Sequence, residues 1–109
     1  MRITLFMKTR NKLFHAEAVY DDGVMIVRKG SMVNTNQAAH IRGENKARLY
    51  LDDPQFVDKD GLVLKDCTFK SPSAAAQFVN GNCTNGYLAW KTRDGIKLKE
   101  LVKVTERTR

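Results

Sequence analysis

Cysteine and long apolar runs are both scarce in this chain, and each scarcity excludes a class of protein. The two cysteines, Cys67 and Cys83, form no CxxC pattern and have no histidine nearby in sequence. They therefore predict reduced thiols rather than a disulfide scaffold or a zinc site. No apolar stretch approaches the roughly 20 residues of a membrane-spanning helix, and the run in MRITLFMK is too short for a secretory signal. We therefore expect a cytoplasmic protein without a membrane partner.

The residue patterns of common enzymes are also missing. No GxGxxG or GxxxxGK[ST] motif is present, so no nucleotide cofactor is predicted. The two histidines, His15 and His40, fall in different predicted elements, and the paired carboxylates of residues 52–60 fall in turns, where aspartate favours local backbone hydrogen bonds. We expect no catalytic residue, no metal and no cofactor, and hence a protein that is not an enzyme.

Positive charge is abundant and unevenly distributed. The net charge is +7 and the pI is near 9.7. Residues 1–48 hold nine basic and four acidic residues, residues 49–69 hold two and five, and residues 70–109 hold eight and three. Two basic ends around an acidic middle favour an anionic partner, and nucleic acid is the most abundant candidate. The alternative is that these lysines and arginines only keep the surface soluble.

The first third of the chain predicts an antiparallel meander. Apolar residues recur at every second position in residues 3–7 and again from Phe14 to Tyr20. Asp22-Gly23 then predicts a tight turn before a third strand at residues 24–27.

The middle of the chain predicts a helix and a strand. Thr35 or Asn36 can cap a polar helix that runs to about Leu51, although Gly43 costs about 1 kcal/mol relative to alanine and leaves a break there open. A strand over residues 62–69 follows, with Cys67 and Phe69 on one face.

The last third begins with a well-capped helix. Ser71 is a good N-cap, Pro72 suits the first helical position, and Gly81 suits the end. Asn85-Gly86 predicts a type I′ turn between short strands, and the spacing of residues 98–102 predicts another helix before a frayed tail at 105–109. The prediction is a single α+β domain over residues 1–109, with an antiparallel sheet and two or three segregated helices.

A pattern in residues 69–101 resembles that of family 4357 of the domains of unknown function. Its members here are Phe69, Ser71-Pro72-Ser73-Ala74-Ala75-Ala76, Gly81, Asn85-Gly86, Trp90-Lys91, Asp94-Gly95, Leu98 and Leu101. Upstream, Val27-Arg28-Lys29-Gly30-Ser31 looks like the Val-Leu-Lys-Gly-Ser element that commonly precedes the helix of this family, and Tyr87 stands where the family commonly has tryptophan.

The resemblance implies a setting in DNA metabolism. Members of that family often lie at the C-terminus of GIY-YIG endonucleases and beside restriction-modification components. The motif is similar to a predicted module that reads modified DNA. The resemblance therefore implies DNA as a ligand and a nuclease or restriction-modification protein as a partner.

The start of the helix at Ser71 is the first candidate binding site. Free backbone N–H groups at a positive helix terminus, the hydroxyls of Ser71 and Ser73, and the neighbouring Lys70 could together bind a phosphate oxygen. The alternative is that Ser71 only caps its own helix, and both roles can hold together.

The second candidate surface surrounds the turn at Asn85. Tyr87 and Trp90 stand three apart in a predicted strand and should face opposite sides, with Trp90 packed on the capped helix and Tyr87 able to stack on a base. Lys91 and Arg93 would form a basic rim around the turn. The alternative is a solvated, lysine-rich surface.

These observations predict a non-enzymatic accessory domain that binds DNA through Lys70, Ser71, Ser73, Asn85, Tyr87, Lys91 and Arg93. An alternative of a different class is a protein-interaction module that docks to a nuclease or restriction-modification subunit through an apolar surface around Tyr87.

Overall fold

The computed structural model describes residues 2–9, 13–35, 46–82 and 84–107. Four strands and four helices lie in these ranges: β1 (Arg2–Lys8), β2 (His15–Asp21), β3 (Val24–Val27), α1 (Lys46–Leu51), β4 (Cys67–Phe69), α2 (Pro72–Asn80), α3 (Gly86–Ala89) and α4 (Leu98–Arg107). The first part of the predicted middle helix, with His40 and Gly43, lies outside the described residues, as does Cys83. None of the helices in the described ranges is both long and apolar enough to cross a membrane.

The sheet is antiparallel throughout, in the order β1-β2-β3-β4. The predicted turn between β2 and β3 is confirmed, with positive φ angles of 48° at Asp22 and 90° at Gly23. Two such residues are what a type I′ turn requires, because this turn follows the twist of the flanking strands. The predicted α+β architecture with its antiparallel meander is therefore correct.

One face of the sheet, here called the inner face, packs under α2. The register places Leu5 opposite Ala18, Ala18 opposite Val27 and Val27 opposite Cys67, and all four residues are fully buried. The rings of Phe69 and Phe78 meet above them at 5.0 Å between centroids. The inner face is thus the floor of the hydrophobic core, as the apolar alternation predicts.

Both ends of α2 have the predicted caps. The Ser71 hydroxyl accepts a hydrogen bond from the Ala74 N–H at 3.1 Å. At the other end, Gly81 has a φ of 89° and its N–H donates to the Gln77 carbonyl at 2.7 Å. The positive φ explains why a glycine ends this helix.

The last strand is shorter than predicted. Only Cys67–Phe69 pairs with β3, whereas Leu62 and Val63 form isolated bridges with Met32 and Val57. The prediction of one strand over residues 62–69 was therefore wrong, because the first half of this segment pairs with loops rather than with the sheet.

A tyrosine hydroxyl closes the free edge of β4. The Tyr50 hydroxyl accepts from the Thr68 N–H at 3.0 Å and donates to the Thr68 carbonyl at 3.2 Å. One side chain thus satisfies both backbone groups that this strand would otherwise present to another sheet edge.

The predicted hairpin at Asn85-Gly86 is absent. Asn85 instead caps the short helix α3, and its side chain accepts from the Tyr87 N–H at 3.0 Å.

Further on, α4 begins at Leu98 as the spacing predicts and continues to Arg107. The frayed tail over residues 105–109 stays a prediction, since α4 includes its first three residues and the last two lie outside the described ranges.

Removing the α2 cap should lower stability. We expect Ser71→Ala to cost about 1 kcal/mol of unfolding free energy, because the Ala74 N–H loses its partner. Ser71→Asp should retain most of the stability, since a carboxylate also caps a helix. Urea unfolding measures both, and equal midpoints for Ser71→Ala and the wild type would show that the cap contributes nothing.

The core thiol should be unreactive. Burial, followed by the nearby Asp66 carboxylate, raises the pKa of Cys67 from 9.0 to about 12. In a Cys83→Ser background, alkylation at pH 9 should be slower by about two orders of magnitude or more in the folded protein than in urea, because the thiolate is the nucleophile. The ratio of the alkylation rates in the unfolded and folded protein should decrease as the pH rises towards 12. Equal rates with and without urea would contradict this burial.

Candidate nucleic-acid interface

The first turn of α2 is held against α3 by three contacts. The Ser73 hydroxyl accepts from the Gly86 N–H at 3.0 Å, and the Trp90 indole N–H donates to the Pro72 carbonyl at 3.0 Å. A Cβ atom on Gly86 would lie 2.1 Å from the Pro72 carbonyl carbon, so only glycine permits this approach. Trp90 is fully buried, which confirms the prediction that it packs on the capped helix.

The contacts at this junction reduce the number of backbone N–H groups at the start of α2 that are free to bind a phosphate. The N–H groups of Ala74 and Ala75 are bonded to Ser71, Pro72 has no N–H, and the nitrogen of Ser73 lies against Gly86. Fewer backbone donors therefore remain for a ligand than the sequence predicts. Lys70 is exposed beside this turn.

Asn85 and Tyr87 lie on the other side of the same junction. Asn85 is exposed, while Tyr87 is half-buried and packs against the core. The prediction that Tyr87 and Trp90 face opposite sides of a strand was wrong, because Tyr87 lies in α3 and Trp90 ends it.

Lys91 and Arg93 lie on a different surface from these residues. Immediately after α3, the chain pairs with the free edge of β1: the Phe6 N–H donates to the Lys91 carbonyl at 2.7 Å and the Lys91 N–H donates to the Phe6 carbonyl at 2.9 Å. Lys91 also forms an antiparallel bridge with Lys97. The structure thus divides the seven predicted site residues into two groups, five at the α2–α3 junction and two at the sheet edge.

The side of the sheet opposite the core, here called the outer face, collects basic side chains around one aromatic ring. Directly paired residues point to the same face, so Lys97, Lys91, Phe6 and Glu17 form one row across neighbouring strands. The Arg93 guanidinium lies over the Phe6 ring, 5.1 Å from its centroid. This distance is within the range of a cation–π contact.

Two grooves flank Phe6 on the outer face. The main groove, of about 450 Å³, runs between β1 and the start of the loop after β3. It is lined by Phe6, Met7, Lys8, His15, Ala16, Glu17, Arg28, Lys29, Gly30 and Ser31. The edge groove, of about 230 Å³, lies on the other side of Phe6 and is lined by Lys8, Lys91 and Thr92 among others. Phe6 and Lys8 border both grooves, so the two form a continuous surface.

Among the residues that the structure describes, most of the cations on this surface form no ion pair. Arg28 forms a half-exposed ion pair with Asp66, with 3.5 Å between Nε and Oδ2. Within the described ranges, no carboxylate lies within 4.0 Å of the ammonium groups of Lys8, Lys91 or Lys97. The outer face therefore carries a net positive charge beside an accessible ring.

Phe6, Lys8, His15, Arg28 and Lys29 were not among the predicted site residues. A signal for them was present in the first strand, where Phe6 occupies an outward position between Thr4 and Lys8. An aromatic residue at a solvent-facing strand position is unusual enough to mark a surface. What the sequence could not show is that Lys91 pairs with Phe6 and that Arg93 lies over its ring.

The fold and this surface define a small basic α+β domain with a cationic outer face. The model of a family described as "Domain of unknown function (DUF4357)" matches residues 5–102. The chain belongs to this family, since the match covers nearly all of it. No curated protein and no solved structure matches the chain.

Adding a methyl group at Gly86 should disrupt the junction. We expect Gly86→Ala to cost about 3 kcal/mol, because the new Cβ would overlap the Pro72 backbone. Gly95→Ala is the matched control: it has a φ of +88° but no atom within 4 Å of the added Cβ, so it should cost only about 1 kcal/mol. Thermal or urea unfolding compares the two, and a smaller loss at Gly86 would refute the close approach.

Proposed function

We propose that this protein is a non-enzymatic accessory domain that binds DNA through its outer face. The observation that carries the proposal is the placement of Lys91 and Lys97 in one row with Phe6, with Arg93 over the ring and Lys8 at the border of both grooves. These cations come from separate parts of the chain and converge on one open surface.

The chemistry of this surface suits a phosphodiester backbone. Lysine ammonium groups are mobile point charges that bind phosphates without demanding one geometry, and arginine adds a planar group with several donors. Neighbouring strands are about 4.8 Å apart, so the row from Lys97 to Glu17 spans roughly 15 Å, with its two lysines at one end and Lys8 next to Phe6 on the same face of β1. Such a surface can contact several phosphates, and each contact releases condensed counterions.

The α2–α3 junction contributes a second group of proposed contacts. Lys70, Ser71, Ser73, Asn85 and Tyr87 stay predicted DNA-binding residues, and Lys70, the one cation of the five, is exposed. We also propose that the domain acts in the cytoplasm together with a nuclease or restriction-modification protein, as the family resemblance implies.

One observation supports the alternative of a protein-docking module. Leu88 is 42% exposed and lies next to the half-buried Tyr87 on α3. Together these side chains place apolar surface where a partner subunit could bury it. Neither Leu88 nor Tyr87 lines either groove, so substitutions in the grooves leave this surface unchanged.

The proposal predicts steep salt dependence. The logarithm of the association constant for duplex DNA should fall with the logarithm of salt concentration by about 0.9 per phosphate contacted. The double variant Lys91→Ala/Arg93→Ala should reduce that slope by about 1 to 2 and weaken binding to all sequences. Fluorescence anisotropy over a range of salt concentrations provides the measurement.

The control is a double variant with the same charge change. Lys59→Ala/Lys99→Ala removes two exposed cations that line neither groove. It should leave the slope nearly unchanged. Equal losses in the two double variants would show that only net charge matters, and absence of binding by the folded protein at low salt would reject DNA binding in favour of docking.

The two groups of residues can be compared in the same assay. Tyr87→Ala should cost roughly 1–3 kcal/mol of binding only if a base stacks on this ring. Lys70→Ala should reduce the salt slope only if the start of α2 contacts a phosphate.

A further inference from the structure

We propose that the main groove binds one unpaired nucleotide of single-stranded DNA, with its base on Phe6 and an amino group of the base at Glu17. The inference rests on the proposed DNA binding and makes it more specific. An aromatic ring, a carboxylate and flanking cations share this groove.

Phe6 provides the stacking surface. It is half-buried, points to the outer face, and borders both grooves. Its backbone is held on both sides, by β2 and by the pair of hydrogen bonds with Lys91. Strand pairing fixes the position of its backbone. Arg93 lies over one face of the ring, so a base would stack on the opposite face. Base stacking on an aromatic ring or a guanidinium plane is the common element of single-strand recognition.

Phosphate binding alone does not explain why a glutamate, Glu17, lies in this groove. It stands directly opposite Phe6 on β2 and is exposed. Its own N–H donates to the Ser31 hydroxyl at 3.2 Å, and its carbonyl accepts from the Arg28 N–H at 2.8 Å. In the part of the chain that the structure describes, no cation lies within 4.0 Å of its carboxylate.

A carboxylate at this position repels phosphates but accepts hydrogen bonds from amino groups. Cytosine presents such a group at N4, whereas thymine presents a carbonyl oxygen at the same position. A carboxylate beside a stacking ring thus favours cytosine over thymine. Lys8 and Lys29, at the border of the same groove, are placed to contact the phosphates on either side of the bound nucleotide.

The dimensions of the groove favour an unpaired nucleotide. Its volume of about 450 Å³ falls within the range of about 300–1,000 Å³ that small-molecule sites have. A paired base also has both faces covered by its neighbours, so its ring could not stack on Phe6. The nucleotide must therefore come from a single strand or be flipped out of a duplex.

The test compares two pyrimidine homopolymers with a duplex. Fluorescence anisotropy is measured with oligo(dC), oligo(dT) and duplex DNA of about 12 nucleotides, a length within the site sizes of single-strand-binding modules. We expect oligo(dC) to bind about tenfold more tightly than oligo(dT), since a hydrogen bond to a charged group contributes that much discrimination. Phe6→Leu should weaken both single strands by about tenfold, with circular dichroism confirming that the variant is folded.

Glu17→Gln separates base reading from simple charge. Removing the carboxylate should strengthen oligo(dT) binding, because a repulsive charge is lost and the new amide N–H can donate to the thymine carbonyl. The preference for oligo(dC) should therefore fall several-fold. Glu100→Gln, on α4, makes the same charge change away from the groove and should leave the preference unchanged.

The possible failures are distinguishable. Salt-dependent duplex binding that needs Lys91, combined with equal affinities for oligo(dC) and oligo(dT), would overturn this inference and keep the proposed function. An equal increase in affinity for all three ligands on Glu17→Gln substitution would also overturn the inference. Glu17 would then act only through its charge and not by recognising a base. Absence of binding to every ligand at low salt would overturn both.

Discussion

The contact between Gly86 and the first turn of α2 determines the course of the last third of the chain. Because Gly86 has no side chain, α3 can lie against the Pro72 carbonyl, and the Trp90 indole can donate to that same carbonyl. The burial of Trp90 in turn places the next residue, Lys91, at the free edge of β1. The packing of Gly86 against Pro72 on the helical side thus helps to place Lys91 and Arg93 on the opposite side of the sheet.

This arrangement places the hydrophobic core and the proposed binding surface on opposite faces of one sheet. The inner face is apolar across all four strands and is covered by α2, so its residues serve the core. The outer face alternates with it residue by residue and presents Phe6, Lys8, His15 and Glu17. Successive side chains of a strand point to opposite faces of the sheet. Substitutions on the outer face can therefore alter the proposed binding surface without removing core contacts.

The sequence predictions were more accurate for interactions between residues close in sequence than for interactions between distant ones. The Asp22-Gly23 hairpin and the caps of α2 depend on residues within a few positions of each other, and both are confirmed. Asn85-Gly86 has the same local signature as a hairpin turn, yet the structure uses the glycine for a contact with Pro72 and the asparagine as a helix cap. Of the predicted site residues, Lys91 and Arg93 lie on the basic outer face, while Phe6 and Lys8 beside them were missed because they are about 85 residues away in sequence.

The sequence by itself determined the class of fold, the basic character of the surface and the identity of the capped helix. Each of these follows from composition, periodicity or neighbouring residues, whose free-energy contributions are local. Only the tertiary structure decided which cations share a surface, because the pairing of Lys91 with Phe6 depends on how α3 packs against α2. It also placed Glu17 beside that ring, through the register of β1 and β2. A strand register is set by the burial of a whole face, and no short stretch of sequence encodes that.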